Sequence, residues 1–210
     1  MNKKLSDGLA IIMPNKKINL FVIFMLVLGI ISGCIFLMTI KDTDKDIIIN
    51  QITNFIKNIS DNQINNNRGF LNSLYENYIY IFLVWILGTS IIGIIINVFL
   101  IYFKGFIYGF TISSFYIVFK YKGLLLSFIY VFPTMLINLL MITILSVYSI
   151  LFTSCLFKVI FSKERNTQIK KFFKRYIIIL LICLVMALIS SLFEGYLIPS
   201  IIKLVIKLFI

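Results

Sequence analysis

No histidine occurs anywhere in the 210 residues. Its absence removes the commonest general base and a leading metal ligand. Carboxylates are scarce as well: there are eight Asp and Glu, and most fall in one polar stretch between residues 41 and 76. The three cysteines, Cys34, Cys155 and Cys183, each lie inside an apolar run, so no CxxC pair or metal-ligand spacing exists. They read as small hydrophobes. Prolines number three, and one of them, Pro133, sits deep in an apolar segment. These shortages leave no catalytic constellation, no cofactor motif and no metal site, and the chain is expected not to be an enzyme.

What is present is apolar. Hydrophobic residues make up 60% of the chain and charged residues only 13%, with a mean hydropathy of +1.03. Soluble domains carry about a quarter charged residues, and several runs here exceed the ~18 apolar residues of a spanning helix. The composition dictates an all-α polytopic membrane protein, a single membrane domain over residues 1–210.

The runs divide the chain. Residues 1–17 are polar and basic, with "LSDGLAIIMPNKK" reading as a short interfacial helix that stops at Pro14. Residues 18–40 form the first span, an uncleaved anchor with no small-residue cleavage pattern. Residues 41–76 make the one long hydrophilic loop, expected outside. Within it Ile48, Ile52, Phe55, Ile56 and Ile59 recur at helical spacing, the pattern of an amphipathic surface helix, followed by a loop at "DNQINNNRG".

Glu76 and Lys104 bracket 27 uncharged residues, a second span at 77–103; Lys104 and Lys120 bracket only 15, a short third span at 105–119. At 1.5 Å per residue the latter reaches roughly 22 Å, against a hydrocarbon core of ~30 Å. Residues 123–157 then run uncharged for 35 positions, roughly 52 Å if helical and too long for one upright crossing. Gly123 suits a tight turn. Pro133 lacks an N–H and clashes with the carbonyl four residues back. The expected solution is a half-helix over 123–132 and a crossing over 133–157. A basic loop at 158–175 precedes the last span, 176–193, and an interfacial tail occupies 195–210.

Drawn this way, five spans place the N-terminus in the cytoplasm and the C-terminus outside. Residues 1–17, Lys104 and the loop 158–175 then carry most of the basic charge on the inner side, as the positive-inside rule requires. The net charge of +12 is thereby read as topology and contact with membrane lipids, not as a nucleic-acid footprint. No Asp, Glu, Lys or Arg falls deep in any span on this drawing, which counts against an ion-coupled transporter. The two halves do not mirror each other as an inverted-repeat transporter would.

Three features stand above the background. Gly29 with Gly33, and Gly105 with Gly109, form GxxxG pairs whose small faces let helix backbones approach closely. They serve either packing within the bundle or association with a partner or a second copy, as in a homodimer. Asn97 and Asn138 are polar residues inside spans, suited to hydrogen bonds between helices. Lys170, Lys171, Lys174 and Arg175 cluster on one helical face before the last span, a stripe for lipid or for a cytoplasmic partner.

The order of three segments carries a resemblance: "FKGFIYGF" at 103–110, "YKGLLLSFIYVFP" at 121–133 and "FEGYLIP" at 193–199. With Lys104, Gly105 and Gly109, Lys122, Gly123 and Pro133, and Glu194 and Pro199 in that arrangement, the chain resembles the stage II sporulation protein M family of integral membrane proteins. The match weakens at Thr134, where a longer polar side chain is expected. The resemblance implies a non-enzymatic scaffold for engulfment in the mother-cell septal membrane of a spore-forming bacterium. Its implied partners are stage II sporulation proteins D and P, a peptidoglycan amidase and a lytic transglycosylase. The competing reading is a transport subunit resembling the membrane component of an ABC-2-type exporter.

Overall fold

A computed structural model describes residues 16–61, 63, 65–90, 92–162 and 169–209, excluding the side chains of 160–162, 171 and 206–209. All-α architecture is its main feature. Helix α1 covers Lys16–Thr39, α2 Asp42–Ser60, α3 Asn66–Leu87, α4 Gly93–Ser162 and α5 Ile169–Leu192. A π-helical segment, Phe193–Leu197, then leads without a break into α6, Ile198–Phe209. By length and apolarity four stretches are able to cross a membrane: Lys16–Thr39, Asn66–Leu87, Gly93–Val159 and Phe172–Val205. The short interfacial helix expected to stop at Pro14 and the middle of the basic loop, 163–168, lie outside the described residues.

The longest stretch is two helices. Lys120 takes φ 52° and ψ −129°, close to the first central position of a type II′ turn, which glycine normally fills. Phe115 and Tyr130 are 15 positions apart and would stand ~22 Å apart along a straight helix. Their ring centroids are instead 5.6 Å apart. The chain therefore reverses at Lys120, and α4 is a hairpin with a first arm at 93–119 and a second at 121–162. Gly123 makes the reversal tight: a Cβ there would lie 2.0 Å from the Phe115 carbonyl oxygen.

The second arm contradicts the expected half-helix. Residues 121–162 are helical throughout, with Pro133 inside and no non-helical backbone except at Lys120. Membrane helices tolerate proline where nearby hydroxyls and neighbouring helices cover the freed carbonyls. The carbonyl that Pro133 leaves without its N–H is that of Ile129; on either side of it the Ser127 hydroxyl donates to the Leu124 carbonyl (2.9 Å) and that of Thr134 to Val131 (3.2 Å). The turn came three residues before the glycine and thirteen before the proline.

The span expected at 77–103 is also divided. Helix α3 ends at Leu87, and "GTS" at 88–90 turns the chain before α4 begins at Gly93. Helix α3 also starts earlier than expected, at Asn66, because Asn65 caps it: the Asn65 side-chain oxygen accepts the Arg68 N–H at 3.2 Å. Lys104 accordingly does not separate two spans. It lies within the first arm of α4, some ~16 Å from one end and ~22 Å from the other at 1.5 Å per residue.

Helix α1 lies along the first arm of α4, its most extensive partner. Its buried positions, Asn19, Val22, Leu26, Gly29, Gly33 and Leu37, repeat every three or four residues on one face. The two GxxxG pairs meet there. A Cβ on Gly29 would lie 2.1 Å from the Tyr102 carbonyl oxygen, and one on Gly33 2.2 Å from that of Phe106. From the other side, Gly105 and Gly109 face the carbonyls of Leu26 (2.3 Å) and Ile30 (2.0 Å). All four glycine faces are occupied inside the chain, so none is left for a partner.

Helix α2 turns its expected apolar face inward. Ile56 and Ile59 are buried with Phe115 and Leu126 of the α4 hairpin and with Ile198 and Ile202 of α6. At this end of the bundle α2 and α6 cover the hairpin tip, and Phe55 packs its ring 5.6 Å from that of Tyr130.

Candidate functional site

Four segments that are far apart in sequence converge on one polar cavity of about 180 Å³. Helix α3 presents Ser73, Glu76 and Asn77, positions i, i+3 and i+4 of one face. The first arm of α4 presents Lys104, Tyr108 and Thr111 with the apolar Ile107, again one helical face. The second arm adds Tyr130, Val131, Thr134 and Asn138, and the π-helical segment adds Glu194.

Glu194 owes its position to the π segment. Pro199 has no N–H to give the Gly195 carbonyl, and the Ile198 N–H bonds to the Phe193 carbonyl, five residues back. The extra residue in that turn swings the 194 side chain toward α3. Gly195 lets the two backbones touch: a Cβ there would stand 2.7 Å from the Phe70 Cβ. π-Turns within α-helices recur at functional sites.

One carboxylate oxygen of Glu194 accepts the Ser73 hydroxyl at 2.7 Å. Ser73 is itself 3.3 Å from the Ser191 hydroxyl. The Asn77 amide donates toward both serines, at 3.4 and 3.3 Å. Ser191 in turn donates to the Ala187 carbonyl at 2.8 Å. Glu194 is thus held at one edge of the cavity by a chain of buried polar groups.

Lys104 is held differently. Its ammonium stands 5.3 Å from the centroid of the Tyr80 ring, a cation–π contact. It makes no ion pair within 4.0 Å of Glu76 or Glu194. Glu76 is exposed at the rim, whereas Lys104 and Glu194 are half-buried. Opposite charges line one cavity and do not touch across it.

Other groups facing the cavity are also unsatisfied. Asn138 is 4% exposed and its Oδ1 has no hydrogen-bond partner; Tyr108 is 8% exposed and its hydroxyl approaches only the Asn138 side chain. Buried polar groups are ordinarily paired, and charged residues inside spans are costly and as a rule functional.

The remaining singled-out residues lie elsewhere. Gly29, Gly33, Gly105 and Gly109 form the α1–α4 contact, and Gly123 and Lys122 sit at the hairpin tip, Lys122 exposed. Asn97 belongs to a second polar cluster: its amide bonds to the Ser149 hydroxyl and, at 3.4 Å, to the Val84 carbonyl. Lys170, Lys174 and Arg175 are exposed on α5, and the side chain of Lys171 lies outside the described residues. Among the described residues no cluster of three or more Cys, Asp and Glu side chains is placed to hold a metal.

The cavity corrects the expectation that no charge lies deep in a span. Lys104 and Glu194 were legible only as parts of motifs, and Asn138 only as a polar residue inside a span. Ser73, Glu76, Asn77, Tyr108 and Tyr130 were missed. The available signal was the i, i+3, i+4 polar face at 73–77 inside a helix whose start had been placed eleven residues too late.

Comparison with known proteins adds the family. No curated protein and no solved structure matches the chain. The family description of stage II sporulation protein M matches residues 21–199, which take in every segment lining the cavity. The chain belongs to the stage II sporulation protein M family, and it is a sporulation-related membrane protein.

Proposed function

We propose that this protein is a non-catalytic membrane scaffold in the engulfment stage of sporulation, acting in the mother-cell septal membrane. It gathers the wall-degrading partners, stage II sporulation proteins D and P, where septal peptidoglycan is remodelled. The observation that carries this reading is the family match across residues 21–199. The packing is compatible with it: the glycine faces are consumed within the bundle, so partners would meet the outer helix faces and the end capped by α2 and α6.

Five crossings serve this reading: α1, α3, the two arms of α4, and α5 with its continuation. With Lys104 moved from a loop into the bundle, residues 1–17 and 158–175 still hold most of the basic charge, which keeps the N-terminus inside and the C-terminus outside. A cysteine placed at position 210 should react with an impermeant maleimide from the outer side.

The functional test is deletion of the gene. Vegetative growth should be normal, engulfment should stop, and proteins D and P should no longer concentrate at the septum. Normal septal localisation of both partners in the deletion strain would sink the scaffold reading. A second reading, a permease subunit, draws on the charged cavity. ATP-dependent efflux by reconstituted vesicles containing the protein and a neighbouring ATPase would favour it.

A further inference from the structure

The cavity is built as a binding site, beyond any scaffold role. Charge is the first argument. A lysine and a glutamate that needed only each other would close into an ion pair, since an isolated charge in a low-dielectric interior is expensive. Here Lys104 and Glu194 face a common space and remain apart. Each is held from behind, Lys104 by the Tyr80 ring and Glu194 by Ser73. The arrangement holds a positive and a negative group on the wall of one cavity without letting them pair.

Unused hydrogen-bonding capacity is the second argument. The Asn138 Oδ1 is buried, lines the cavity and lacks a partner, and the Tyr108 hydroxyl beside it approaches no protein group but the Asn138 side chain, which leaves both with capacity to spare. Size is the third. About 180 Å³ is below the ~300–1,000 Å³ of sites for drug-sized ligands, and is suited to a group the size of a headgroup or an amino acid. The rim is the fourth. Exposed Glu76 and Ile107 border the cavity on the bundle surface, so its opening is lateral, where a lipid could present its head.

We infer that the cavity binds a zwitterion that carries a protonated primary amine and an anionic phosphate or carboxylate. Lys104 takes the anionic end. Glu194 takes the ammonium, with Glu76 contributing at the rim. The Asn138 carbonyl oxygen accepts an N–H of the ligand, and the Tyr108 hydroxyl donates to its anionic group. An aminophospholipid headgroup and a free water-soluble zwitterion share this chemistry, and the experiment separates them.

The full-length protein, purified in detergent and stripped of lipid, is offered equal amounts of phosphatidylethanolamine and phosphatidylglycerol and read by native mass spectrometry. A parallel arm offers glycerophosphoethanolamine and glycine. Wild type should retain phosphatidylethanolamine at least fivefold over phosphatidylglycerol. Lys104→Met and Glu194→Gln should each abolish the preference, and Lys104→Arg should restore most of it. Melting temperatures of all variants are measured alongside; if Lys104→Met does not fold, the Glu194→Gln and Lys104→Arg pair decides. Binding of the soluble zwitterions alone, lost in the same variants, supports the chemistry with a free ligand as its source. Equal retention of both lipids with no soluble binding, or a preference unchanged in Glu194→Gln, overturns the inference.

Discussion

Two polar clusters lie within this bundle, and they are built to opposite ends. Around Gly88, where α3 stops, the polar side chains point at the carbonyls that a helix end leaves without partners. Thr153 donates to the Gly88 carbonyl at 2.7 Å and Tyr176 to that of Trp85 at 2.9 Å, while the Asn97 amide reaches Ser149 and Val84. Aromatic rings close in around them, with Tyr176 stacked 5.1 Å from Phe152 and 5.9 Å from Trp85. Around Lys104 the polar side chains border open space. Both sets would look alike in a hydropathy plot, as isolated polar residues in apolar runs. The first lets a helix end inside protein where lipid offers no hydrogen bonds; the second holds charge ready for something else.

The sharpest way to break that contrast is to crowd the packed cluster. A Cβ at Gly88 would lie 2.1 Å from the Tyr176 hydroxyl and 2.3 Å from the Ser149 hydroxyl. Gly88→Val should therefore force both away and cost ~3 kcal/mol, combining overpacking with lost hydrogen bonds. Thermal unfolding in detergent should show a clear fall in melting temperature, and any loss of function should track loss of fold. A variant as stable as wild type would mean that the helix end is not held by this cluster.

A smaller effect is expected from Asn97→Ala. It removes the donor to Ser149 and Val84 without adding volume, so the cost should be ~1–2 kcal/mol. The same thermal measurement reads it. Ligand retention at the cavity should be unchanged once the folded fraction is matched, because Asn97 stands ~10 Å along the arm from Lys104 and neither it nor its partners line the cavity. Loss of retention in folded protein would join the two clusters into one unit.

The α4 hairpin links both clusters, since its second arm carries Thr134 and Asn138 to the cavity and Ser149 and Thr153 to the helix end. Lys120 holds the turn in a left-handed conformation that side chains rarely adopt. Lys120→Gly should remove that strain and raise stability by ~1 kcal/mol, seen as a modest rise in melting temperature. A fall would mean that the exposed Lys120 side chain contributes more than its backbone costs.

How much of this was legible depends on what each residue signals locally. Helices announce themselves by composition, and Ile56 and Ile59 pointed the buried face of α2 inward by spacing alone. The four glycines were readable as close-approach faces, although not as each other's partners, because pairing is a long-range fact. Boundaries failed where a charge was taken as the edge of a span. Lys104 is an interior charge, so the rule that charges mark interfaces placed a turn at 104. The turn occurs at Gly88, Thr89 and Ser90, three turn-forming residues within an apolar run. Pro133 misled for a related reason. Proline breaks helices in water, but within a bundle packed against neighbouring helices the second arm continues through it. The cavity was hidden because no single stretch contains it: its walls come from four segments, each polar at only a few positions.

The smallest expected change in stability belongs to Asn138→Leu, and it separates the two clusters most directly. Asn138 is buried and its Oδ1 is unpaired, so replacing it with an apolar side chain of similar volume removes a desolvated group at the cost of only its contact with the Tyr108 hydroxyl. Stability should stay within ~0.5 kcal/mol of wild type or rise slightly. Functional sites characteristically give up stability in this way, and filling them returns it at the expense of activity. Retention of the amine-bearing lipid should nonetheless fall severalfold, because the variant loses an acceptor and fills part of the gap between Lys104 and Glu194. A large drop in melting temperature would show that Asn138 holds helices together as Asn97 does, and the distinction between a packed cluster and an open one would collapse.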